Sequence, residues 1–146
     1  MVVNKEIPDW RWFWGQDYKP DPKEAQQILS GADVLLTDPN CVLMMTYDKA
    51  NLVATIHLYL EPTHRNSRRV AETILTAEKI AATDGMRKVV APLTEGNPYL
   101  RGGKKRKFGY TLEGELKNQF LIDGQPHSLF LYGKLLQQNP PDNKKE

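Results

Sequence analysis

The spacing of apolar residues along the chain predicts two helices. Asp21-Pro22 begins a segment that Gly31 ends, and a capping aspartate, a proline at the first helical position and a terminal glycine predict a helix over 22–30. Apolar residues separated by four, three and four positions predict a longer helix over 68–83. Its core-facing stripe should consist of Val70, Ile74, Ala77 and Ala81, with Ala71 and Leu75 beside it.

The other apolar runs predict strands, at 41–47, 51–60, 87–92, 110–121 and 128–136. The first two should form one hairpin, and the last two should form another around Asp123-Gly124. In the run at 51–60, one face should carry Leu52, Ala54, Ile56, Leu58 and Leu60, and the other Val53, Thr55, His57 and Tyr59. In the run at 110–121, one face should carry Tyr110, Leu112, Leu116 and Phe120.

This order of elements predicts the class of fold. A strand, a long helix and a further strand in the middle of the chain require a parallel pair with a crossover helix, whereas the hairpins require antiparallel pairs. The expected fold is a single α/β domain with a mixed sheet and helices on both faces, over residues 21–136. A Trp-rich arm at 1–20 should precede it, and a mobile polar tail at 137–146 should follow it.

Composition narrows the range of functions. The chain has 146 residues, of which 40% are hydrophobic and 26% are charged, as in one globular domain. Its net charge of +2 does not by itself indicate a nucleic-acid-binding protein. The single cysteine, Cys41, excludes an internal disulfide, and the three histidines lack the spacing of a metal site. No apolar run approaches the roughly 20 residues of a membrane span, so a protein without a membrane segment, inside a cell, is expected.

The N-terminal arm carries all the tryptophans of the chain, Trp10, Trp12 and Trp14. Their spacing by two residues fits an extended segment with one aromatic face. Two interpretations remain open. The arm could close the protein's own core, or it could dock on a partner, because tryptophan is enriched at interface hot spots.

Two segments resemble the GCN5-related N-acetyltransferase (GNAT) superfamily. Residues 58–81, LYLEPTHRNSRRVAETILTAEKIA, are similar to its strand, pyrophosphate loop and central helix. Residues 97–118, NPYLRGGKKRKFGYTLEGELKN, are similar to its asparagine, the helix that follows, its GF turn and its EG strand. The resemblance implies a GNAT-like acyl-CoA N-acyltransferase fold. The cofactor-binding residues that it implies, if acetyl-CoA binds, are Leu58, Tyr59, Leu60, Arg65, Arg68, Arg69, Val70 and Asn97.

The pyrophosphate loop departs from the family pattern, which is Arg or Gln, two variable residues, Gly, one variable residue, then Gly or Ala. Arg65 matches the first position, but Arg68 and Val70 stand at the two small-residue positions. A β-carbon there crowds the approach of a phosphate to the backbone. The arginines could bind phosphate through their guanidinium groups instead, or they could be solvated or contact an acidic partner.

The residues that would catalyse the reaction are equally altered. Lys105 stands where many members of the family place a tyrosine as general acid. A general base could come from His57 or Glu61 on or beside the strand at 51–60, although a structural histidine and a surface glutamate are the alternatives. No metal site is predicted.

A basic cluster follows, at Arg101, Lys104, Lys105, Arg106 and Lys107. It could hold a CoA phosphate, nucleic acid or an acidic protein surface, or it could be a solvated face. With the tryptophan arm, it is the predicted interaction surface.

Three functions are therefore considered. The sequence favours a GNAT-fold protein that has lost catalysis, needs no cofactor and serves as a structural or interaction subunit with a protein partner, in the style of small phage virion or head-assembly proteins. It would then lie in the host cytoplasm or the virion. The alternative is an active acetyl-CoA-dependent N-acetyltransferase with an arginine-rich loop. The third is a basic module that associates with nucleic acid.

Overall fold

The computed structural model describes residues 21–38, 41–60, 68–94 and 109–136. These contain two helices and six strands. In chain order they are α1 (Pro22–Ser30), β1 (Val34–Asp38), β2 (Cys41–Asp48), β3 (Val53–Leu60), α2 (Arg68–Thr83), β4 (Lys88–Thr94), β5 (Thr111–Ile122) and β6 (Gln125–Leu135). The Trp-rich arm, the expected short helix after residue 94 and the polar tail lie outside the described residues, so the predicted division at 1–20 and 137–146 stays a prediction.

The strands form one mixed sheet in the order β1-β2-β3-β4-β6-β5. Four of the five neighbouring pairs are antiparallel, and β3 and β4 are parallel, with α2 between them in the chain. The predicted class, a mixed α/β sheet, is confirmed. The helix predicted over 68–83 is confirmed at both ends.

The parallel pair separates along its length. Pairing joins Val53, Ala54 and Thr55 to Lys88, Val89 and Val90 and stops there. Both strands continue, β3 to Leu60 and β4 to Thr94, while each stays paired on its outer side, to β2 and β6 respectively. The sheet is therefore split between residues 56–60 of β3 and 91–94 of β4. The strand edges that face each other there are not paired with each other.

One face of the sheet packs against α2 to form the main core. Ile74, Ala77 and Ala81 of the predicted helical stripe are at most 2% exposed. They pack with Leu43, Met45, Ala54, Ile56, Val89 and Ala91 of the sheet, which all point the same way. The predicted core face of β3 is thus confirmed for Ala54 and Ile56. Leu75, which was expected beside the stripe, is 48% exposed because it lies one residue past Ile74, and one residue turns a side chain by about 100° around a helix.

The opposite face contains a second set of buried side chains. Leu35, Val42 and Met44 are buried but alternate with the strand residues that contact α2. Ala25 and Leu29 of α1 are also buried, and neither belongs to the cluster beneath α2. The helix begins as the sequence predicted, because the Asp21 carboxylate accepts a hydrogen bond from the Glu24 N–H at 2.8 Å.

Two strand predictions were wrong in part. No strand was predicted at β1, where Val34, Leu35 and Leu36 are all buried. Because both faces of this strand are covered, it lacks the alternation that identifies a half-buried strand. In β5, irregularities at 112–114 and 116–120 break the expected alternation, so Leu112 and Leu116 lie on opposite faces.

A buried polar cluster joins the β5–β6 hairpin to α2. The Glu78 carboxylate, 7% exposed, accepts hydrogen bonds from the Tyr110 hydroxyl and the Lys134 ammonium group, each at 2.8 Å. Burial, and then the charge and hydrogen bond of Glu78, raise the pKa of Tyr110 far above its usual value. The tyrosine therefore remains a neutral donor, and these three side chains hold the start of β5 and the end of β6 against the helix.

Candidate functional site

The split between β3 and β4 is lined by apolar side chains on both faces of the sheet. On the face that packs against α2, Ile56 and Ala91 are at most 4% exposed, and Leu58 packs against the same core. On the opposite face, His57 and Pro92 are half-buried. The backbone N–H and C=O groups at 56–60 and 91–94 that point into the split are hydrogen-bonding groups without a strand partner there. The split can thus receive an elongated ligand that has polar atoms along its chain.

His57 is the histidine of β3 and lies between Ile56 and Leu58. It points to the face opposite α2, as the sequence predicted, and it lies opposite Met44 in the sheet register. Burial lowers the pKa of His57, because the protonated ring loses hydration. No described residue makes a hydrogen bond to its side chain. A neutral imidazole beside the split can accept a proton at neutral pH.

The helix α2 begins at the same end of the sheet at which the split is open. Its last residue, Thr83, is followed closely by the start of β4, at the end where β3 and β4 are paired. Its first turn, from Arg68, therefore lies towards the open end, where β3 finishes at Leu60. The positive end of the helix dipole and the N–H groups of this turn, which have no partner within the helix, favour an anion there.

Several solved structures have a similar fold. A protein assigned as a phosphinothricin N-acetyltransferase matches with a TM-score of 0.71 at 18% identity, over 88% of this chain and 85% of that one. The alanine N-acetyltransferase of ribosomal protein S18 from Escherichia coli matches with a TM-score of 0.68 at 8% identity, over 91% and 88%. A variant of the spermidine N-acetyltransferase from Vibrio cholerae matches with a TM-score of 0.59 at 16% identity, over 70% and 63%. The chain has the GNAT acyl-CoA N-acyltransferase fold.

The resemblance found in the sequence is thus confirmed at the level of the GNAT fold. No model of a protein family and no curated protein sequence matches the chain. The identities to the solved structures are low, so the degenerate or phage-type subclass that the sequence suggested stays a prediction.

The GNAT fold brings only some of the predicted site residues together. Leu58, Tyr59 and Leu60 form the β3 side of the split, with His57 next to them, and Arg68, Arg69 and Val70 form the first turn of α2. Lys105 and Glu61, the other candidates for acid and base, lie outside the described residues. So do Arg65, Asn97, Trp10, Trp12, Trp14, Arg101, Lys104, Arg106 and Lys107. Their proposed roles stay predictions.

No residue of β4 was predicted to belong to the site, although one residue of β4 indicates that this strand borders the split. Pro92 lies inside β4, a strand with neighbours on both sides in the sheet order. Proline cannot donate to a ladder and is confined to strand edges, bulges or strand ends. Pro92 is compatible with β4 because the pairing between β3 and β4 ends at Val90. Beyond Val90, the edge of β4 that faces β3 needs no N–H donor for a strand partner. A proline in a central strand thus indicates the split.

Two other kinds of site were searched for in the described residues. No group of three or more His, Cys, Asp or Glu side chains within them could hold a metal ion. Neither described helix has the length and apolar character required to cross a bilayer.

The lowered pKa of His57 predicts a dependence of stability on pH. In the unfolded chain the ring should titrate near the ordinary histidine pKa of 6.5, whereas in the folded protein its pKa is lower. As the pH falls below 6.5 the unfolded state binds the proton first, so acidification should lower the free energy of unfolding. We expect the difference in this free energy between pH 8 and pH 5, measured by urea denaturation, to be smaller in His57→Gln than in the wild type. Equal differences would show that His57 is protonated equally easily in both states.

Proposed function

We propose that this protein binds acetyl-CoA in the split between β3 and β4 and transfers the acetyl group to an amine. The observation that carries the proposal is the end of the β3–β4 pairing at Thr55 and Val90, while both strands continue. This leaves backbone donors and acceptors of two strands facing an apolar-walled gap. The solved structures with this fold are named as N-acetyltransferases, which supports the same reaction class.

The residues of the split fit most of this ligand. The unpaired backbone at 58–60 can exchange hydrogen bonds with the amide groups of a pantetheine arm, in the manner of an added strand. The start of α2 can receive the pyrophosphate at the N–H groups of its first turn. Acetyl-CoA supplies the thioester, whose carbonyl carbon the acceptor attacks. A C–N bond forms, the C–S bond breaks, and the amine loses a proton.

His57 is the described residue suited to take that proton. It is half-buried on the face opposite α2, beside the unpaired part of β3, and its lowered pKa keeps the ring neutral at pH 7. A neutral imidazole can accept the proton directly or through one water molecule. The departing thiolate also needs a proton, and the sequence offers Lys105 for that role.

A second function is favoured by a different observation. Arg68 and Val70 lie in the first helical turn of α2, where the family pattern has small residues. Arginine and valine each carry the β-carbon that the family pattern avoids where a phosphate comes close to the backbone. This favours the function that the sequence suggested first, a subunit that keeps the fold without catalysis and binds a protein partner, as in a phage particle or its assembly. An association with nucleic acid through the basic cluster would be a third role.

The proposed function predicts stabilisation by acetyl-CoA. A ligand present at about 100 times its dissociation constant should add about 2.7 kcal/mol to the free energy of unfolding, which corresponds to a rise of several degrees in Tm. We expect this rise with millimolar acetyl-CoA, measured by differential scanning fluorimetry, and little change when the salt concentration is raised.

Adenosine 3′,5′-bisphosphate is the matched control ligand, because it carries phosphates without the pantetheine arm. An equal shift with this control, or a shift abolished by salt, would indicate attraction of phosphate to basic side chains alone. The absence of any shift would overturn the proposed function and leave the non-catalytic subunit as the better account.

A further inference from the structure

The acceptor must approach the split from one particular face of the sheet. On the α2 side, the core residues beneath the helix close the approach, since Ala54, Ile56 and Val89 are at most 4% exposed. On the opposite face, the described side chains of β4 and β6 beside the split, Val90, Pro92, Leu129 and Leu131, are half-buried. His57 points to that same face. An amine that reacts beside His57 therefore enters from the face opposite α2.

Apolar side chains line this face beside the split. Val90 and Pro92 of β4 point to it, and the sheet register places Leu131 opposite Pro92 and Leu129 opposite Thr94. Both leucines are half-buried. Leu116 of β5, opposite Leu129, extends the apolar surface away from the split and is 42% exposed.

The same face carries one described carboxylate, that of Glu113, which lies over Gly133 of β6. The strands β3, β4 and β6 contain no aspartate or glutamate. In β5, the Glu113 carboxylate is already bound by the Lys88 ammonium group at 2.8 Å. Glu115 lies opposite Phe130, which packs against the core on the α2 side. A second cationic group on an acceptor would therefore lose hydration here, and the described carboxylate of this face is already paired with the Lys88 ammonium group.

We propose that the acceptor is a primary amine on an uncharged, apolar carbon chain, which packs on Val90, Pro92, Leu129 and Leu131. This inference rests on the proposed acetyl transfer and names its substrate class. The reacting nitrogen lies at the split beside His57, and the carbon chain lies across β4 and β6. An apolar chain is distinguished from a charged one at its far end, because a methyl group is stabilised by burial on this surface whereas an ammonium group loses hydration there.

Two amines of equal length test the proposal. Hexylamine and 1,5-diaminopentane have the same number of heavy atoms, but one ends in a methyl group and the other in an ammonium group. We expect kcat/KM for hexylamine to exceed that for the diamine by about tenfold or more, corresponding to at least 1.4 kcal/mol. A preference for the diamine would overturn the proposal. Product from neither amine, while acetyl-CoA still raises Tm, would also overturn it.

A pair of variants locates the binding surface. Leu129→Glu places a carboxylate on the proposed surface, and we expect it to shift the ratio of the two kcat/KM values about tenfold towards the diamine. Leu121→Glu is the matched control, because Leu121 is a leucine of the same hairpin, is 52% exposed and pairs with Pro126 on the other face. An unchanged ratio in Leu129→Glu, or an equal change in both variants, would overturn the assignment.

Two further measurements separate the possible failures. If Leu129→Glu does not fold, Leu129→Ala should lower kcat/KM for hexylamine several-fold and leave the value for the diamine unchanged, and equal effects on both amines would contradict the proposal. The Tm shift with acetyl-CoA is measured on every variant. Loss of that shift in the wild type overturns the proposed function itself, whereas its presence together with the wrong amine preference overturns the acceptor class alone.

Discussion

Replacement of Glu78 by leucine is expected to lower the free energy of unfolding by about 3 kcal/mol, or Tm by about 10 °C. The Glu78 carboxylate is 7% exposed and accepts hydrogen bonds from Tyr110 and Lys134. Its removal leaves a buried hydroxyl and a largely buried ammonium group without their acceptor. The loss is placed at the lower end of the range for buried pairs because the Lys134 side chain is still 24% exposed.

A milder replacement tests the origin of this effect. Glu78→Gln keeps an oxygen that can accept from the Tyr110 hydroxyl but loses the negative charge opposite Lys134, so we expect roughly half of the loss. Glu72→Gln is the control, since Glu72 is an exposed glutamate of the same helix and its replacement should change stability by less than about 0.5 kcal/mol. Urea denaturation of the three variants gives the comparison. A loss in Glu78→Leu no larger than that in Glu72→Gln would contradict a stabilising role.

Replacement of His57 by glutamine is expected to lower kcat for acetyl transfer about 100-fold if His57 is the base of the proposed reaction. The Tm shift with acetyl-CoA should remain, because the cofactor contacts are assigned to the backbone of β3 and to the start of α2. In the wild type, kcat/KM should fall on acidification with an apparent pKa below the usual 6.5 of histidine, since burial lowers the pKa of His57. The variant should lack this acid limb.

A second histidine provides the control for this experiment. His127 lies towards the tip of the β5–β6 hairpin, where β6 pairs with β5 and not with β4, and its ring stacks on Phe120 at 5.9 Å. His127→Gln should leave kcat and the acid limb unchanged. A normal rate and pH profile in His57→Gln would exclude His57 as the base, and the assay would then be repeated on Glu61→Gln, since Glu61 is the other base that the sequence offered.

Of the residues that border the split, only those on the β3 side could be predicted from the sequence. The alternation in β3 placed His57 opposite Ile56 and Leu58, and the resemblance to the GNAT superfamily identified the backbone at 58–60 as a binding strand. No individual residue of the β4 side was named, because its contribution consists of backbone groups without partners, and these depend on where pairing stops. Pro92 was the local sign of that edge, and its meaning depends on knowing that β4 lies inside the sheet.

The sequence by itself determined the types, order and approximate bounds of most elements. The helix at 68–83 and the faces of β3 follow from periodicity, since a residue's burial in an amphipathic element depends on its spacing from its neighbours. Only the tertiary structure decided three other features: that β1 is a strand, that the β3–β4 pair opens after Thr55, and that Glu78 meets Tyr110 and Lys134. The first has no alternation to detect, because both of its faces are covered. The other two depend on contacts between residues far apart in the chain, which the local pattern of apolar and polar residues does not encode.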